Sequence, residues 1–269
     1  MMFLQLQYET TQPCTDLTAD LRRWLTQTGA REGIVAICLP HTTAGLGITS
    51  FWDPRGIQDL FHEWERDIPA RLGYHQECAP QTAAARTKSV LSGPALTLMV
   101  HNGRPMLGSS QGVCLLEYDG PRTRTVWLQF VACGMELFRY TLTTTHLGAH
   151  DVSAQVRQAV QQSGVQNGFC HVAVPHSTAG LAVCRPQDQA MVNAELERLV
   201  PTRADFLHTE TPWDAAGHVK TVFAGSQQTF AVENGSVRFG TDLAPSFLEF
   251  DGPRKRRLWV GVFAKEQIL

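Results

Sequence analysis

Two histidines in this chain stand in the same short setting. His41 lies in Pro40-His41-Thr42-Thr43-Ala44-Gly45-Leu46, and His176 in Pro175-His176-Ser177-Thr178-Ala179-Gly180-Leu181. Each follows an apolar run and opens a loop of small residues, where backbone N–H groups and hydroxyls such as that of Thr178 can face a ligand. An imidazole there can bind a metal, move a proton, or cap the strand end by hydrogen bonding. The motif alone leaves all three open.

A second constellation is His208, followed by Asp214-Ala215-Ala216-Gly217-His218-Val219-Lys220. With His176 it supplies three imidazoles, a ligand set for a divalent cation, Zn or Mg. Asp214 and His218 share a face if the segment is helical, whereas His218 and Lys220 share one if it is a strand. A third block is Glu117-Tyr118-Asp119-Gly120-Pro121-Arg122, which returns as Glu249-Phe250-Asp251-Gly252-Pro253-Arg254. Asp-Gly-Pro reads as a turn between strands. Arg122 and Arg254 can clamp a phosphate or brace the turn by pairing with the Asp, and Glu249 or Glu117 can serve as general base or metal ligand. Nucleotide-binding GxGxxG and P-loop patterns are absent from the sequence.

These residues are positioned by a chain written twice. The His motifs are offset by 135 residues (41 to 176) and the Asp-Gly-Pro-Arg blocks by 132 (119 to 251). Ala83-Ala84, Lys88 and Asn102-Gly103 return in order as Ala215-Ala216, Lys220 and Asn234-Gly235. So long a period means two duplicated domains rather than a solenoid. Alternation in Leu4, Leu6 and Tyr8 against Phe138, Tyr140 and Leu142 fixes the strand register at an offset of 134 (4 to 138). Domains are therefore expected over 1–134 and 135–269, closely packed because no linker separates them. Each should begin with a half-buried strand and an amphipathic helix, carrying Leu17, Leu21, Trp24 and Leu25 in the first copy and Val152, Val156 and Val160 in the second. Further helices are expected at Ile57–Trp64 and Asp188–Leu199, and strands at 34–39, 96–100, 113–118 and 126–132 with their counterparts. Asn-Gly marks a tight hairpin in each copy. The fold class is α+β, each half a mainly antiparallel, sandwich-like sheet arrangement with two to three helices.

Composition narrows the function. With 23 Lys+Arg against 25 Asp+Glu, the net charge of -2 leaves no broad basic surface for nucleic acid. Apolar runs are strand-sized, so no membrane span is expected, and Met1–Glu9 shows no secretory pattern. The seven scattered cysteines form neither a disulfide framework nor a zinc ribbon. A cytoplasmic location is expected.

His-Thr-Thr-Ala-Gly-Leu, Ala-Ala-Gly-His-Val-Lys, Asn-Gly-Arg-Pro-Met-Leu-Gly-Ser-Ser-Gln-Gly and Glu-Tyr-Asp-Gly-Pro-Arg together resemble the YjbQ family, whose members are usually named secondary thiamine-phosphate synthase enzymes. The resemblance covers the chain twice. It implies weak joining of a hydroxymethylpyrimidine diphosphate to a thiazole phosphate with loss of pyrophosphate, a phosphorylated small-molecule substrate, and assembly as a homo-oligomer, a trimer above all. The family's motif His matches His41 and His176, its later His matches His218, and its Tyr-x-His matches Phe206-Leu207-His208. In copy one the later His is Arg86, and Tyr74-His75-Gln76 is shifted by one position. The family's Gly-x-Trp-Gln is half kept as Gly108-Ser109-Ser110-Gln111 and lost in Gly240-Thr241-Asp242-Leu243. Its Asn-Glu is replaced by Thr49-Ser50 and Cys184-Arg185. The expected site therefore joins the histidines of copy two to the Gln loop of copy one across a domain or subunit interface, the rival being a copy one that has lost function and contributes only structure. His176, His208 and His218 are its metal ligands, and His176, His218 and Glu249 its catalytic groups. Lys220, Arg254, Gln111, Arg122 and Thr178 are the expected substrate contacts. The alternative is a non-catalytic metal- or anion-binding oligomer that keeps the pocket.

Overall fold

Alternation places the first strand. In β1 (Met2–Thr10) Leu4, Leu6 and Tyr8 turn toward the core while Gln5, Gln7 and Glu9 face outward. The computed structural model describes residues 2–71, 73–75, 78–208 and 210–265. The first half continues with β2 (Cys14–Asp16), α1 (Thr18–Gln27), β3 (Gly33–Cys38), β4 (Ala44–Ser50) and α2 (Pro54–Asp67). It ends with α3 (Pro80–Ser92), β5 (Ala95–His101), β6 (Arg104–Pro105), β7 (Gln111–Glu117) and β8 (Arg122–Ala132). The second half repeats the order. It runs β9 (Glu136–Thr143), β10 (Gly148–Asp151), α4 (Ser153–Ser163), β11 (Gly168–Ala173), β12 (Ala179–Cys184), α5 (Gln189–Leu199) and α6 (Pro212–Ala224). Strands β13 (Gln227–Glu233), β14 (Ser236–Arg238), β15 (Ala244–Glu249) and β16 (Lys255–Ala264) complete it.

Each half is α+β and holds two antiparallel sheets. A five-stranded sheet, β1-β8-β3-β5-β6, faces a three-stranded one, β2-β7-β4; the counterparts are β14-β13-β11-β16-β9 and β10-β15-β12. The expected register is observed, with Leu4 opposite Leu128 and Phe138 opposite Val260. Leu17 at the N-cap of α1 and Leu21, Trp24 and Leu25 within it pack into the first core, and Val156 and Val160 from α4 into the second. Asn102 and Gly103 both have positive φ (52° and 75°), as do Asn234 and Gly235 (51° and 70°), the backbone that a tight primed hairpin turn demands.

One element in each half departs from the reading of the sequence, and one open alternative is decided. The small-residue stretch after each His motif is a strand, β4 or β12, rather than a loop. Helix α3 packs directly on β4: a Cβ at Gly45 would lie 1.9 Å from Ser92 Oγ, so the strand must be small there. The segment after His208 is the helix α6, and its Thr211 N-cap accepts from the Asp214 N–H at 3.0 Å. Each half thus has three α-helices among the described residues.

The halves share apolar surface. Leu60, Trp64 and Ala85 of the first meet Phe206, Ala215, Val219 and Val222 of the second. A second seam joins Met99, Met106 and Cys133 to Ala173, Trp259 and Phe263. Among the described residues no helix is long and apolar enough to cross a membrane.

Candidate functional site

Helix α6 sets Asp214 and His218 one turn apart on the same face, and the preceding segment folds back to bring His208 beside them. His208 Nε2 lies 2.5 Å from Asp214 Oδ2, and His218 Nε2 lies 3.5 Å from the same oxygen. One ligand-capable atom from each of the three residues lies within 4.8 Å of the others. The first half holds this group in place. Asp59 of α2 accepts the backbone N–H groups of Leu207 and His208 at 2.7 and 2.8 Å, and Asp53 Oδ2 sits 2.6 Å from His208 Nδ1. Glu63 of α2 also pairs with Arg203, fixing the approach to His208. Burial alone lowers the pKa of His208, but hydrogen bonds to Asp53 and Asp214 outweigh it and raise the value overall. Burial likewise raises the Asp214 carboxyl, yet His218 and His208 together bring it down to about 2.

The three residues line a cavity of about 320 Å³, together with His176, Ser177, Thr178, Arg254, Arg256 and Arg257 of the second half and Ser50, Trp52, Ser109 and Ser110 of the first. The pocket lies within one chain and is built from both repeats. The loop of copy one reaches it at close quarters: a Cβ at Gly108 would lie 2.2 Å from the Pro175 carbonyl oxygen, so only glycine fits without a shift.

The expected site residues separate into groups. His208 and His218 come together, with Asp214 as the third member. His176 lines the same cavity but is not part of that triad, because its Nε2 accepts the Arg257 backbone N–H at 2.7 Å. Burial first, then Arg256 and Arg257, lower its pKa to about 4. The neutral ring therefore carries its proton on Nδ1 and has no second lone pair for a metal. His41 caps its own strand end in the same way, accepting from Thr125 N–H at 2.8 Å.

Glu249 is not placed as a catalytic base. It is fully buried, accepts from Arg256 Nε and Nη2 at 2.8 and 2.5 Å, and also accepts from Thr144 Oγ1 and the Asp251 N–H. Glu117 repeats the arrangement with Arg124, Thr10 and Asp119. Lys220 is buried against Glu197 at 2.5 Å and lies outside the pocket wall, so it is not placed to hold substrate; Lys88 pairs with Glu65 in the first copy. Gln111 does not face the cavity as a substrate contact. Its amide donates to the Val174 and His176 carbonyls at 3.0 and 2.9 Å, and its oxygen accepts from Gly108 N–H, so it ties the two repeats together. Arg254 lines the pocket half-exposed, with one side paired to Asp251 at 2.7 Å. Arg122 pairs with Asp119 and belongs to a different cavity in the first half. Thr178 is on the wall, accepting from Arg256 at 3.1 Å. Tyr74 and His75 lie away from the triad's pocket, and Gln76 is outside the described residues.

Asp53, Asp59, Arg256 and Arg257 went unread in the sequence. A signal existed for Arg256, since Arg-x-Arg follows Asp-Gly-Pro in both copies. None existed for Asp53, which caps α2 in the first half where Arg185 precedes the equivalent Pro186.

The comparison with known families agrees with this architecture. The model of the UPF0047 protein YjbQ-like family matches twice, over residues 3–133 and 138–265. The chain belongs to the YjbQ family. Among relatives, UPF0047 protein YugU of Bacillus subtilis is 35% identical over 134 residues, covering 48% of this chain and 99% of its own length. A UPF0047 protein of Methanothermobacter thermautotrophicus is 33% identical over 140 residues, covering 49% and 98%. A solved structure of a conserved hypothetical protein from Thermus thermophilus is 31% identical with a TM-score of 0.44, covering 48% of this chain and 99% of that one. Two matches of the family model in one chain mean that it carries the family unit in tandem.

Proposed function

We propose that the second repeat carries a cation-assisted site for a phosphorylated small molecule, and that the chain is a transferase of the thiamine-phosphate synthase kind. The observation that carries this reading is the convergence of His208, Asp214 and His218 on the wall that also presents Arg254 and Arg257. The three residues fit a divalent ion. Two imidazoles and a carboxylate are donors that zinc accepts, and they suit it better than magnesium, which prefers oxygen. Asp53 behind His208 is the outer carboxylate that orients a metal-binding ring. His218 Nδ1 is buried with no hydrogen-bond partner, a polar atom that the protein alone leaves unsatisfied. When bound, such an ion would polarise a phosphate oxygen and offset developing negative charge.

In the transfer implied by the resemblance, a thiazole nitrogen bonds to the methylene carbon of the pyrimidine diphosphate. The carbon–oxygen bond breaks and its electron pair leaves with pyrophosphate. The attacking nitrogen carries no proton, so no general base is needed, and the engagement of Glu249 by Arg256 is compatible with the chemistry. The chain's own task is to bind and neutralise the leaving diphosphate. Arg254 and Arg257 supply charge, and the neutral His176 supplies an Nδ1–H donor.

Complementation of a thiamine-auxotrophic strain tests this reading, with product formation assayed on the purified chain. Wild type should rescue growth and His218→Ala should not. A second reading, a non-catalytic metal- or anion-binding protein, is favoured by the locking of Glu249 and Lys220 into ion pairs. Failure of wild type to rescue or form product, with metal still bound, would decide for it.

A further inference from the structure

The first repeat keeps a cavity of its own, about 330 Å³, lined in part by His41, Thr42, Thr82, Arg86, Asp119 and Arg122. Its frame matches that of the second repeat. His41 accepts a backbone N–H as His176 does, Arg124 clamps Glu117 as Arg256 clamps Glu249, and Arg122 reaches Asp119 as Arg254 reaches Asp251. What differs is the set of residues at the cation-capable positions. Helix α3 carries Thr82 where α6 carries Asp214, and Arg86 where α6 carries His218. A guanidinium stays protonated and has no lone pair, so this pocket cannot ligate a metal through that position.

The exchange reverses the preference of the cavity. It removes a carboxylate and an imidazole and adds a permanent positive charge. The Asp119 carboxylate is already engaged, by Arg122 at 2.6 Å and by the Thr82 hydroxyl at 3.3 Å. Arg122 uses two of its donors on Asp119, which leaves others for a ligand. Because His41 Nε2 accepts from Thr125, its Nδ1 holds the proton of the neutral ring. The wall thus offers a ligand the remaining N–H groups of Arg122, an imidazole N–H and the Thr42 hydroxyl, beside the charge of Arg86, whose Nη1 also reaches Cys78 Sγ at 4.0 Å. Such a set matches the oxygens of a tetrahedral oxyanion.

We propose that repeat one holds a second, metal-independent site that binds a phosphate group, either as inorganic phosphate or as the end of a small phosphomonoester. The site requires no cation in repeat two. The test is calorimetric titration of the full-length, chelator-stripped chain with orthophosphate and, separately, with glycerol 3-phosphate. Wild type should bind at least one of the two probes. Arg86→Gln should weaken that binding about tenfold or more, while Arg238→Gln, at a surface arginine outside both cavities, leaves it unchanged. Equal affinity for both probes supports the phosphate group alone as determinant, and tighter binding of one identifies the source. If Arg86→Gln lacks the wild-type melting transition, Arg122→Gln carries the test under the same criterion. No binding by the stripped wild type, unaltered binding by the arginine variant, or loss on Arg238→Gln instead, would overturn the proposal.

Discussion

Glu117 and Glu249 are carboxylates held ionised inside the protein. Burial pushes each carboxyl up, but the hydrogen bonds from Arg124 and Arg256 outweigh it, so both pKa values end below normal. The unfolded chain titrates near the ordinary value of about 4.3. Each pair therefore contributes fully above about pH 5, and the contribution is lost as pH falls through the lowered folded value. Glu249→Gln should cost about 3–5 kcal/mol at neutral pH, because it strands Arg256 without its counter-charge. Denaturant melts should also show the variant losing less stability than wild type as pH falls toward about 3; an equal loss would contradict the assignment. Asp53 works differently, touching His208 from outside the triad. Asp53→Asn should weaken metal binding about 10- to 100-fold, read by competition with a chelator. A wild-type affinity in that variant would remove Asp53 from the account.

At the scale of elements, the loop before β7 is the piece that makes one site from two repeats. Gly108→Ala forces a Cβ against the Pro175 carbonyl, so the loop or the His176 motif must move. The expected cost is about 1–3 kcal/mol in thermal or denaturant melts, with weakened metal binding; a variant as stable as wild type would show that the contact yields easily. The same elements explain what was legible in the sequence. β1 and β9 were readable because one face is wet and the other dry, which imposes alternation. β4 was not, because Ala44–Ser50 is covered on both sides, with Gly45 set by α3 and Gly47 crowded by Cys114 and Val222 rather than by a turn. α3 and α6 bury small residues such as Ala83, Ala84, Ala215 and Ala216, which leaves little helical periodicity to detect. Of the site, His208 and His218 announced themselves as imidazoles. Asp53 and Asp59 did not, because their role arises only from the packing of α2 against the second repeat.

For the whole molecule, duplication has left two cavities of similar size, both lined by arginines, one with Asp214 and His218 on its helix and the other with Thr82 and Arg86 at those positions. The seams that join the repeats bury Trp64, Phe206, Trp259 and Phe263. Residues 135–269 expressed alone should expose this surface, aggregate, and fail to bind metal tightly, since Asp53 and Asp59 are gone. A soluble, metal-binding fragment would contradict the shared site. The resemblance further implies a homotrimer of two-repeat chains, six family units about a threefold axis, and light scattering reads that mass directly. The most direct measurement is the metal content of the full chain purified without a histidine tag. The account predicts one divalent ion per chain, zinc first, lost in His208→Ala and in His218→Ala and retained in Arg86→Gln. Absence of metal from wild type after incubation with zinc, or unchanged content in His218→Ala, would contradict it.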